Sequence, residues 1–112
     1  MESILILISG GPHSGNAVDA LKLAKSMREQ GHRVSVFLIQ DAVLCSLCEG
    51  DTEAHSSFQG LESGGVASFC MGEDLAMRGY RPRDLSAGVE VSDYGHLVDL
   101  MTEQDHRVIG VL

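Results

Sequence analysis

"GGVASFCMGEDLAMRGY", Gly64 to Tyr80, is the stretch on which the reading of the chain turns. Val66–Phe69 is a short run of the residue types that suit a strand. A helical stretch follows, starting near Gly72 or Glu73 and running through about Arg78, where Gly79 ends it. A strand that passes directly into a helix is half of a parallel β-α-β unit, so the flanking segments are expected to repeat the alternation. Cys70 stands at the joint.

The flanks do repeat it. "SILILISGG" reads as a continuously apolar strand buried on both faces, broken by Gly10 and Gly11. "NAVDALKLAKSMREQG" is a helix with Ala17, Ala20, Leu21, Ala24 and Met27 on one face, capped by Ser14 or Asn16 and ended by Gly31. Val34–Ile39 is the second strand. "DAVLCSLCEG" reads as a short helix with Asp41 at its N-cap, and "DTEAHSSFQGLESGG" as polar, then weakly helical, then a turn. Pro82 breaks the connector after Gly79. "VEVS" is a fourth strand, Tyr94 to about Gln104 a helix carrying Leu97, Val98, Leu100 and Met101, and "HRVIGVL" the closing strand.

This order predicts a three-layer α/β/α fold with a mostly parallel five-stranded sheet, in a single domain over residues 1–112. In such sheets functional groups gather at the carboxyl ends of the strands. The loops expected there are Gly10–Asn16, Asp41–Glu53 and Cys70–Asp74.

Composition narrows the function. Sixteen acidic against eight basic residues give a net charge of −8, which argues against nucleic acid as a partner. The apolar run Ile4–Ile8 is too short to span a bilayer and lacks the basic start of an export signal. The expected location is the cytoplasm, where Cys45, Cys48 and Cys70 are reduced thiols, metal ligands or redox groups.

The loop "GGPHSGNA" invites a nucleotide reading and fails its tests. Its glycines, at 10, 11 and 15, do not fit the dinucleotide spacing, and Asn16 and Ala17 replace the lysine and hydroxyl of a P-loop. It reads as a strand-to-helix turn, with Gly11, His13, Gly15 and Gly72 as the residues able to shape a weak anion pocket. Cys45 and Cys48 form a C-x-x-C that can be joined by His55, and by Cys70, around zinc. The second cysteine pair of a zinc ribbon is missing, and buried core or interface cysteines explain the same pattern. No cofactor is expected.

Two readings of Cys70 stay open. As a reactive thiol it sits where the N–H groups of the following helix favour a thiolate and Gly72 leaves room for a partner, with Glu73 and Asp74 opposing. As a structural residue it is a cysteine packed at a strand end. Arg78, about 12 Å further along the helix, is too far to pair with it and free to meet an acid or a neighbouring subunit.

The ordered set "LILISGGPHSGNAVDALKLAKSM", "GHRVSVFLIQDAV", "VASFCMGEDLAMRG" and "DLSAGVEVS" resembles the DsrE/DsrF/TusD-like family of small sulfur-relay proteins over nearly the whole chain. The resemblance implies a cysteine, here Cys70, that accepts sulfane sulfur as a persulfide and hands it on. It also implies persulfide donor and acceptor proteins as partners, and assembly as a homo-oligomer (trimer or hexamer) or a mixed complex. Some members of the family lack the cysteine and serve as structural subunits. The loop "LCSLCEGDTEAH" departs from the family pattern.

Overall fold

The computed structural model describes residues 2–103 and 106–112. Five strands, β1 (Ser3–Ile8), β2 (Arg33–Leu38), β3 (Ala67–Met71), β4 (Val89–Ser92) and β5 (His106–Val111), form one sheet in the order β4-β3-β2-β1-β5. Every pairing is parallel. The helices α1 (Gly15–Glu29), α2 (Glu53–Ser63), α3 (Gly72–Met77) and α4 (Tyr94–Thr102) complete the three-layer α/β/α arrangement that the alternation predicts. The expected end of the last helix, Gln104, lies outside the described residues.

β1 is buried from Ile4 to Ile8, as a central strand covered on both faces must be. α1 presents Ala17, Ala20, Leu21 and Ala24 to the core. The small side chains let the helix lie close to the sheet and to α2. Ser14 caps α1 by accepting the Ala17 N–H at 3.4 Å.

Three local expectations change. The Asp41–Gly50 stretch is a 3-10 helix, Gln40–Ser46, and Ile39 occupies its N-cap without a side-chain bond. Asp41 is therefore released for another contact, described below. The weakly helical stretch is a full helix, α2, because Thr52 and His55 form a reciprocal cap. β3 runs on to Met71, so Cys70 lies inside the strand and not past its end.

His55 ties α2 to the 3-10 segment. Its Nδ1 accepts the Thr52 N–H at 3.2 Å, and its Nε2–H donates to the Leu44 carbonyl at 2.9 Å. The ring fills the space above Gly50, where an added Cβ would stand 1.9 Å from it. Gly50→Ala is expected to displace the ring, break both bonds and lower stability by about 1–3 kcal/mol. Urea unfolding measures the loss, and a Gly60→Ala control, at a site with open space around the new methyl, is expected to lose nothing.

Candidate functional site

Cys70 pairs across the sheet with Leu38 of β2 and Val91 of β4, one residue short of the carboxyl end of β3. Alternation along the strand turns Ser68 and Cys70 to one face and Phe69 to the other. On the Phe69 side, the Phe37 and Phe69 rings stack at 5.8 Å and His96 meets Phe69 edge-on at 4.8 Å. On the Cys70 side lies the 3-10 segment, whose Ser46 hydroxyl is 3.8 Å from the sulfur and donates at 2.6 Å to the Val43 carbonyl. Ser46 and Cys70 are both fully buried.

Of the two readings of Cys70, its surroundings are those of the packed cysteine. Burial pushes the Cys70 thiol from an ordinary value of 9.0 up to about 11, the Ser46 contact opposes that rise, and the Asp74 carboxylate adds to it. The helix that follows is six residues long and carries Glu73 and Asp74 in its first turn. It provides little stabilisation for a sulfur anion. Gly72 does not open a path either: an added Cβ would meet Val91 Cγ1 at 3.0 Å and the Ser92 carbonyl at 3.2 Å. The glycine is there because β4 comes close.

Arg78 finds an acid, as its position allows. Its Nε and Nη2 donate to Asp41 Oδ1 at 3.0 and 2.9 Å, and its Nη1 to the Asp74 carbonyl at 3.0 Å. Asp74 is itself buried and accepts the Gln40 N–H at 2.7 Å. The contacts of Ser46 and Asp41 with the segment around Cys70 carried no local signal in the sequence. Ser46 stands 24 residues from Cys70 and Asp41 stands 37 from Arg78.

The other candidates lie apart from the sulfur. His13 and Gly15 line a cleft of about 440 Å³ with Thr52 and Glu53, and Cys70 is not part of it. Gly11 faces Asp41, at 3.3 Å from an added Cβ. Cys45 is buried, its thiol also pushed up to about 11 by desolvation, whereas Cys48 lies beyond the 3-10 segment and is exposed. The two thiols therefore stand in different environments. Both ring nitrogens of His55 are already bonded, so the zinc alternative lacks its histidine. Among the described residues no three His, Cys, Asp or Glu side chains converge as a metal set.

Two outcomes follow. A thiol displaced from 9.0 to about 11 holds about a hundredfold less thiolate at neutral pH, so iodoacetamide is expected to label Cys48 first and Cys45 and Cys70 slowly in the native chain. Peptide mass mapping reads that order. For stability, the folded chain holds both buried thiols protonated above the pH at which they ionise when unfolded. Their contribution is complete below about pH 9 and is lost as pH rises toward 11. Urea midpoints are expected to fall over that window, with a shallower fall in Cys45→Ala.

The DsrE/DsrF-like family model matches residues 2–109. No curated protein matches the chain. Among solved structures, the YchN protein from E. coli is similar with a TM-score of 0.88 and 24% identity, covering 98% of this chain and 99% of that one. MTH1491 from Methanobacterium thermoautotrophicum, described as a protein of unknown function, gives 0.77 and 23% over 98% and 99%. Tm0979 from Thermotoga maritima gives 0.58 and 21% over 90% and 93%. These likenesses establish the fold. With the family match over nearly the whole length, the chain belongs to the DsrE/DsrF-like family.

Proposed function

We propose that the chain is a sulfane-sulfur carrier of the relay type, acting as a single domain over residues 1–112 in the reducing environment of the cytoplasm, with Cys70 as its acceptor thiol. The observation that carries this reading is the position of Cys70 one residue from the carboxyl end of β3 in a DsrE/DsrF-like chain, with the Ser46 hydroxyl beside its sulfur.

In the transfer, the Cys70 thiolate attacks the outer sulfur of a donor persulfide. The donor S–S bond breaks, the donor sulfur leaves as a thiolate, and it takes up the proton that Cys70 gave up. The products are Cys70–S–SH and the donor thiol, with no net oxidation. An acceptor thiolate then repeats the attack on Cys70–S–SH and restores the thiol. Ser46 can turn its O–H from the Val43 carbonyl toward the sulfur when the sulfur is anionic.

The partners of such a carrier are persulfide donor and acceptor proteins, and the chain works as a homo-oligomer (trimer or hexamer) or in a mixed complex. Tyr94, Val98 and Met101 support the assembly. They stand one helical turn apart on α4 and are 48, 55 and 43% exposed, an apolar stripe on an otherwise amphipathic helix. The burial of Cys70 favours a second reading, a non-catalytic interaction subunit of the same fold.

Intact-mass analysis after incubation with a persulfide donor separates the two. The carrier gains about 32 Da, one sulfur atom, mapped to Cys70 and absent in Cys70→Ser. No gain, with normal assembly of Cys70→Ala, establishes the subunit reading. A gain mapped to Cys48 moves the role to the exposed thiol.

A further inference from the structure

We infer that the 3-10 segment Gln40–Ser46 is a strap closed over Cys70, and that the Asp41–Arg78 ion pair is the latch that sets how often the strap opens. The inference rests on the reading of Cys70 as the reacting thiol and concerns its access.

In its middle the strap is held by His55, whose Nε2–H donates to the Leu44 carbonyl, and by the buried Ala42, Val43 and Cys45; its two ends are fastened unequally. Behind Ser46 the fastening is backbone. The Ser86 N–H donates to the Ser46 carbonyl at 2.8 Å, the Cys48 N–H donates to the Asp84 carbonyl at 2.9 Å, and Leu47 bridges Leu85. At the front it is made by side chains of α3, the helix that continues from the Cys70 strand. Asp74 takes the Gln40 N–H, and Arg78 holds Asp41 with two donors. The Asp41 side chain is 67% exposed and that of Arg78 27%, so water and salt reach this pair.

Gln40 sits at the hinge. At φ 51° it is the one non-glycine residue with positive φ among the described residues. Side chains occupy that conformation at a cost, and it persists only while its surroundings enforce it. Here the enforcing contacts are the Asp74 bond and the latch one residue on. Releasing the latch lets Gln40 relax to an extended conformation and frees the front of the strap, so fewer contacts must break together before Cys45 and Ser46 lift from β3. A partner bearing lysine or arginine competes with Arg78 for Asp41, and a chain of net charge −8 draws such a partner in.

The test uses the intact chain and iodoacetamide, with no sulfur donor. In Asp41→Asn and in Arg78→Gln the Cys70 alkylation rate is expected to rise about fivefold, the loss of a partly exposed two-donor pair. Cys45, on the strap, rises with it. Hydrogen exchange of the β1 amides stays at the wild-type rate, which separates strap opening from general loosening. Raising salt from about 50 to about 500 mM accelerates Cys70 in the wild type and not in Arg78→Gln. An unchanged Cys70 rate in both variants overturns the inference, as does acceleration matched by faster β1 exchange. If the variants accelerate Cys70 but the wild type takes up no sulfur, the strap stands and the carrier reading falls.

Discussion

Desolvation of one sulfur atom is the constraint on which this molecule's chemistry depends. Cys70 is fixed in a parallel register between Leu38 and Val91, and the register leaves it no freedom to turn outward. The opposite face of the same strand is held as firmly, by Phe69 against Phe37 and His96. A thiol held from both sides and closed over by Gln40–Ser46 stays protonated at neutral pH. Water and stray thiols are excluded from it, which suits the storage of a labile sulfur. The same exclusion denies it the thiolate that transfer needs. For the carrier proposed above, storage and transfer therefore require different states of the cover.

The contacts around the site divide along that line. Backbone bonds and apolar side chains fix the strand and the body of the cover, while charged side chains hold the front of the cover. The first group sets where the sulfur is. The second group, Asp41, Asp74 and Arg78, holds the front of the cover. The ion pair between them is accessible to ions and to other proteins, whereas the sheet beneath is not.

Much of this architecture was legible in the sequence because it is periodic. The unbroken apolar run of β1, the three-and-four spacing of α1 and the strand-to-helix joint at Cys70 were each visible within a dozen residues. The C-x-x-C loop was not. Its 3-10 form depends on His55 bonding Leu44 and on Asp41 being taken by Arg78, contacts that span 11 and 37 residues. The depth of Cys70 was hidden for the same reason. A strand end is open or closed according to what folds over it, and the covering residues come from an earlier part of the chain. Gly72 illustrates the ambiguity. Absence of a side chain reads equally as room for a partner or as contact with a neighbour, and only the position of β4 decides between them.

The strand order has a consequence for how the chain is made. β5 is synthesised after the other four strands of the sheet, and it lies beside β1, which precedes them. While the polypeptide is still emerging from the ribosome, β1 can gain β2 but must wait for its other neighbour until β2, β3, β4 and the helices between them have been made. During that interval one side of Ile4–Ile8 has unpaired amides and carbonyls beside its most apolar side chains, a template for joining a nascent copy of itself. Chaperone demand and aggregation during translation should therefore track the delay before β5 arrives, independently of how stable the finished sheet is.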